Sequence, residues 1–160
     1  MAKAKELKTN AMRILDKNKV KYEVTMYPCE EFIDGIHVAD LLGMPYERCF
    51  KTLVASGKSG GYHVFVIPVD KELDMKAAAK AAGEKNIELI PVKEITAVTG
   101  YVRGGCTSIG MKKNYPVIIE KTAADFDTIA VSGGHLGVQI TLSPSDLIKV
   151  TRGSYAGIVQ

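Results

Sequence analysis

The spacing of apolar and polar positions changes several times along the chain, and each change predicts an element. Between Thr9 and Asn18, Met12, Ile14 and Leu15 recur at helical spacing, with Thr9 or Asn10 placed to cap the segment. Lys21 to Met26 alternates as a strand does. Asp34 precedes a short helix carrying Val38, Leu41 and Leu42, and Gly43 stands where a C-terminal cap belongs. Cys49 to Ala55 and Tyr62 to Val69 read as buried strands joined by the turn Gly57 to Gly61, which predicts a hairpin. Asp74 caps a helix from Met75 to Ala82 that Gly83 ends, and Asn86 to Ile90 predicts a short strand. Pro91 suits the first turn of a helix running to Thr99, which Gly100 closes.

The second half is richer in strands. After a glycine-rich loop, Gly104 to Gly110, strands are predicted at Val117–Glu120, Thr128–Ser132 and Val138–Leu142. Ser143-Pro144 opens a last helix, and Tyr155 to Val159 suits an edge strand. Helices alternating with strands early and strands clustering late imply an α/β fold with a mixed, curved, partly antiparallel sheet flanked by helices, not a doubly wound parallel one. The 160 residues suit one domain spanning 1–160.

Composition narrows the class. Apolar residues make up 46% and charged residues 24%, so no region has the makeup of a disordered chain. No apolar run approaches the roughly 20 residues that span a bilayer. The first ten residues carry lysines with no apolar stretch behind them, unlike a secretory signal. A soluble, cytoplasmic protein is the expectation. Cys29, Cys49 and Cys106 are odd in number and form no CxxC, and His37, His63 and His135 are scattered, so neither a disulfide framework nor a metal site is expected. The net charge of +3 permits contact with a polyanion without demanding it. Lys3, Lys5, Lys8 and the pair Lys112-Lys113 are candidate phosphate contacts, although each taken alone reads as a solvated surface residue.

Three features are candidates for chemistry. Lys51 shares a strand face with Cys49, Leu53 and Ala55, which places its ammonium among buried neighbours or on the floor of a pocket. An outward-facing lysine on an alternating strand is the competing reading. Gly100, Gly104, Gly105 and Gly110 form a loop that brings backbone N–H groups close to a ligand, but Met111 stands where a P-loop has its lysine. Val131-Ser132-Gly133-Gly134-His135 is a strand running into a tight turn. Ser132 lacks the GxSxG elbow, and Cys106 has no identifiable His partner, so neither is a convincing nucleophile. Two glycine-rich loops facing a buried lysine would bind an anion or steady a developing oxyanion.

Several motifs in register resemble one family. They are Lys8-Thr9-Asn10-Ala11 with Arg13 and Leu15, Phe50-Lys51-Thr52-Leu53-Val54, Leu73-Asp74-Met75-Lys76, Thr99 through Gly105, and Val131-Ser132-Gly133-Gly134. Together they resemble the YbaK/EbsC family of Cys-tRNA(Pro) deacylases, related to the editing domain inserted in bacterial prolyl-tRNA synthetases. The likeness runs through nearly the whole chain and implies a barrel-like sheet. It also implies hydrolysis of the ester joining cysteine to the terminal adenosine of tRNA(Pro), without a cofactor or metal and with prolyl-tRNA synthetase as partner. In that frame Lys51 anchors the 3′-terminal nucleotide or the aminoacyl group, and backbone N–H groups near Gly105 stabilise the oxyanion. Tyr22 and Ser132 line the site, with Phe50, Gly104, Thr107 and Gly133 as further substrate contacts. The substrate's own thiol attacks its carbonyl. The family loop often reads Gly-Gly-Ile-Ser-Pro where this chain has Gly104-Gly105-Cys106-Thr107-Ser108, and Gln139 stands where some members carry Asp. Alternatives are a deacylase for another mischarged tRNA such as Ala-tRNA, a non-catalytic binder of aminoacyl-tRNA or nucleotide, or an unrelated enzyme using Cys106.

Overall fold

The computed structural model describes residues 8–160. Lys3 and Lys5, with most of the segment read as lacking a secretory signal, lie outside the described residues. Helix α1 (Asn10–Lys17) is capped by Thr9, not Asn10, because Thr9 Oγ1 accepts the Met12 N–H at 3.2 Å. Strand β1 (Tyr22–Met26) follows, then α2 (Gly35–Leu42), capped by Asp34 and ended by Gly43 at φ 65°. Its buried residues are Val38 and Ala39, while Leu41 is exposed, so the apolar stripe is narrower than the sequence suggested. Strands β2 (Phe50–Gly57) and β3 (Tyr62–Pro68) form the expected antiparallel hairpin, from Phe50 opposite Pro68 to Ser56 opposite Tyr62.

Helix α3 (Met75–Ala82) has the predicted bounds, and β4 (Ile87–Leu89) is slightly shorter than expected. The helix predicted from Pro91 divides into a 3-10 turn, Val92–Glu94, and α4 (Ile95–Thr99). Pro91 is extended and has no side chain able to cap, so the first turn tightens, with the Glu94 N–H on the Pro91 carbonyl at 2.9 Å. Strands β5 (Val117–Glu120), β6 (Ile129–Ser132) and β7 (Val138–Leu142) come next. Helix α5 (Pro144–Thr151) starts at a Ser143 cap with Pro144 in its first turn. The tail strand β8 (Ser154–Ala156) lies at an edge and is shorter than predicted, although Val159 still bridges to Leu73.

The mixed, partly antiparallel α/β architecture is as expected, and among the described residues the strands form two sheets with no closed barrel. One five-stranded mixed sheet has the order β4-β2-β3-β5-β8, and one three-stranded antiparallel sheet has the order β1-β7-β6. The main core joins Phe50, Val54, Val64, Val66 and Ile119 of the large sheet to Val131, Val138 and Ile140 of the small one, with Leu15 of α1 and Leu147 of α5. Each such side chain contributes about 1.5–3 kcal/mol by leaving water. On the other face of the large sheet, Ala55, Phe65 and Ile67 pack against Ala78 and Ala79 of α3.

Just before β2, Cys49 forms a single isolated bridge to Ala130 of β6 among the described residues. At the far end of β2, Ala55 to Gly57 pair with β4. Between the Cys49 bridge and Val54, whose carbonyl accepts the Ile90 N–H at 3.0 Å, this edge of β2 has no ladder partner among the described residues, and the molecule opens there.

Candidate active site

A cleft of about 520 Å³ occupies that opening. Residues from both faces of β2 line it, Phe50, Thr52 and Val54 from one and Lys51 and Leu53 from the other, so the cleft follows the strand's edge. The start of α2 contributes Asp34, Gly35 and Ile36, and the ends of β6 and β7 contribute Ser132 and Gln139, which are cross-strand partners. Leu89, Ile90, Val92 and Ile95 make one side apolar. Gly104 and Cys106 enter from the glycine-rich loop, with Arg103 at the rim.

Lys51 is half-buried and lies in the cleft wall. It makes no ion pair among the described residues. Its charge is therefore available to an anion entering the cleft. Asp34, also in the wall, accepts the His37 backbone N–H at 2.9 Å and faces the His37 ring at 2.8 Å. These contacts, the backbone one foremost, hold its carboxyl below the usual carboxylate range. Burial pushes the thiols of Cys49 and Cys106 up to about 11, so both are protonated near neutrality and poor nucleophiles. Ser132 Oγ accepts from the Gly134 N–H at 3.4 Å, and no hydrogen bond joins it to a histidine among the described residues. No cluster of three or more potential metal ligands occurs among the described residues.

A cationic cleft without an activated nucleophile does not by itself name a reaction, and comparison with known proteins decides the family. Residues 36–150 match the model of the aminoacyl-tRNA editing domain. This chain belongs to that family. The editing domain is 43% identical over 160 residues to a protein of Enterococcus faecalis named for a Cys-tRNA(Pro)/Cys-tRNA(Cys) deacylase, EbsC, covering 99% of this chain and 98% of that one. A proline–tRNA ligase of Cupriavidus necator matches 92 residues at 30% identity, 56% of this chain and 16% of the ligase. A crystal structure described as a trans-editing enzyme for prolyl tRNA synthetase superposes with a TM-score of 0.80 at 19% identity, covering 96% and 99% of the two chains. That likeness establishes the shared fold.

Within the editing domain the expected site residues separate into two groups. Lys51, Phe50, Gly104 and Ser132 meet in the cleft. Gly105, Thr107, Gly133 and Tyr22 are not in its wall. Gly105 is buried against the His135 backbone, and its N–H is taken by the Val102 carbonyl at 3.0 Å. Thr107 is fully buried, with its hydroxyl near the Ile109 N–H. Gly133 closes the β6–β7 turn through the Val138 carbonyl at 2.9 Å. Tyr22 turns toward α1, donating its hydroxyl to Asp16 Oδ1 at 2.8 Å while the Lys8 ammonium donates to the Tyr22 hydroxyl at 3.3 Å and to Asp16 Oδ2 at 2.6 Å. The loops thus brace each other and only their margins reach the cleft.

The structure adds residues that sequence spacing did not single out. Arg103 lays its guanidinium 3.9 Å from the centroid of the Phe32 ring, and both line the cleft. Tyr27 and the apolar side from Leu89 to Ile95 also belong to it. Tyr27, Phe32 and Arg103 come from loops whose sequences carry no periodic signal, while Leu89 and Ile95 belong to short elements whose facing the sequence did not fix.

Proposed function

We propose that this chain is an aminoacyl-tRNA deacylase acting on the 3′ end of mischarged tRNA, with Cys-tRNA(Pro) as substrate. The observation that carries this reading is an ion-unpaired Lys51 in a cleft whose own thiols are held protonated. Such a site binds an anionic nucleotide end but supplies no nucleophile, which suits a substrate that brings one. The cysteinyl thiol attacks its own ester carbonyl, and the C–O bond to the terminal ribose breaks. The thiol proton passes to the departing 3′ oxygen, and water then opens the resulting thiolactone to free cysteine. The Gly105 N–H already donates to Val102, so the oxyanion donors are the neighbouring N–H groups of Gly104 and Cys106, which donate to no backbone acceptor among the described residues.

Family membership, and the relative named for Cys-tRNA deacylation, support this assignment. The match inside a proline–tRNA ligase supports tRNA(Pro) as the carrier and prolyl-tRNA synthetase as a partner. No helix among the described residues is long and apolar enough to cross a membrane, in keeping with work in the cytoplasm where charged tRNA resides.

The test is hydrolysis of Cys-tRNA(Pro) and Ala-tRNA(Pro) side by side at catalytic enzyme, with Lys51→Ala as control. Lys51-dependent loss of cysteine alone is expected. Loss of alanine as well would remove the role of the substrate thiol, and saturable binding without release of either would make the protein a binder.

A further inference from the structure

The unpaired stretch of β2 has a chemical use of its own. Cys49, with its carbonyl accepting the Val69 N–H at 2.8 Å, is in a hydrogen-bonded position opposite β3, so Lys51, Leu53 and Ala55 direct their backbone groups to β3 as well. Thr52 alternates with them. Its N–H and C=O therefore point away from β3, toward the cleft that Thr52 lines. Groups on either side of that stretch are engaged: the Val54 carbonyl accepts the Ile90 N–H at 3.0 Å, and Cys49 bridges to Ala130. Between them Thr52 presents one donor and one acceptor from a single extended residue, bonded to no other backbone group among the described residues and facing a cavity with an apolar wall. The gap between the two attachments is too short to pair with an added peptide strand. It suits a flat heterocycle that presents a donor beside an acceptor.

We propose that the backbone of Thr52 reads the adenine of the tRNA's terminal adenosine. The exocyclic N6 amine donates to the Thr52 carbonyl, and a ring nitrogen beside it, N1 or N7, accepts the Thr52 N–H. Leu89, Ile90 and Val92 give the base its apolar wall, and Lys51, on the next residue, meets the charged end of the same nucleotide. This contact is independent of the amino acid carried, so it fixes the ester's position whatever the side chain. It rests on the deacylase reading and deepens it. The physical reason for selectivity is that an analogue lacking either group leaves a backbone donor or acceptor buried without a partner.

The test uses tRNA(Pro) ending in adenosine, purine riboside (no N6 amine), 1-deazaadenosine or 7-deazaadenosine, each charged with cysteine. The full chain is assayed for cysteine release. Purine riboside is expected to lower kcat/KM by roughly tenfold or more, and one of the two deaza analogues by a similar factor. Replacing the Thr52 amide by an ester, which removes the N–H and keeps the Thr52 carbonyl, is expected to erase the penalty of that deaza analogue. Equal rates for all four ends would overturn the proposal while leaving the deacylase standing. If the adenosine-ended substrate itself releases no cysteine, the deacylase reading fails instead. The same four ends on uncharged acceptor-stem minihelices then decide the base contact by their dissociation constants, an unchanged set overturning it.

Discussion

Gly105 rests against the main chain of His135: a Cβ on Gly105 would lie 3.1 Å from the His135 Cα and carbonyl carbon. Backbone cannot swing aside as a flexible side chain does. The Gly105→Ala variant is expected to push the two glycine-rich loops apart and lose about 1–3 kcal/mol of stability, read by chemical denaturation. Because Gly104 and Cys106 flank it in the cleft wall, deacylation should fall even at temperatures where the variant is folded. An alanine variant with wild-type stability and rate would show slack between the loops.

Arg103 and Phe32 hold the rim of the cleft as a stacked pair. Arg103→Ala removes a cation suited to the nucleotide's phosphate and leaves the Lys51 region intact. It is expected to raise KM severalfold with little change in kcat, an effect that shrinks as salt rises. A drop confined to kcat would place Arg103 in the chemistry instead.

The thiols of Cys49 and Cys106, at about 11, should react slowly with iodoacetamide. At pH 8 only about one part in a thousand of each is thiolate. Alkylation of both is expected to accelerate about tenfold per pH unit toward that value, as followed by mass spectrometry of the peptides. Cys106→Ser should retain deacylation, and loss of activity in that variant would revive a protein nucleophile.

Glu84 ties the β2–β3 turn to the end of α3. It accepts the Ser59 hydroxyl at 2.6 Å and faces His63 Nε2 at 2.8 Å. These contacts, that of Ser59 foremost, depress its pKa below 4.5. The sign follows from the depression: the unfolded state takes up a proton first, so the stabilisation is complete above about pH 4.5 and fades as pH falls through the lower folded value. Glu84→Gln should be less stable than wild type at pH 7, and the difference should narrow through that acid window in urea titrations. A difference that stays constant from pH 7 to pH 3 would assign the contribution to packing.

Much of the fold is legible in local signals. Thr9, Asp34, Asp74 and Ser143 announce helix starts because a short side-chain oxygen ahead of an apolar stripe satisfies orphan N–H groups, and all four do so. Gly43, Gly83 and Gly100 announce helix ends because each takes the left-handed conformation. The division into two sheets was not legible, since it depends on which strand claims the edge of β2, a long-range contest that leaves no periodic trace. The site shows the same boundary. Lys51 stood out because a lysine in an apolar strand is costly without a purpose. Gly105 and Tyr22 were placed by motif, and only the packing shows that one serves as a spacer between loops and the other belongs to a surface cluster with Asp16 and Lys8.

The raised thiols carry a last consequence for turnover. Two cysteine side chains line the cleft in which the proposed reaction frees cysteine, and disulfide exchange or capture of an acyl group there would need one of them ionised. Held protonated by burial, these two thiols make the cleft wall chemically quiet, and deacylation should persist under mildly oxidising conditions that silence thiolate enzymes.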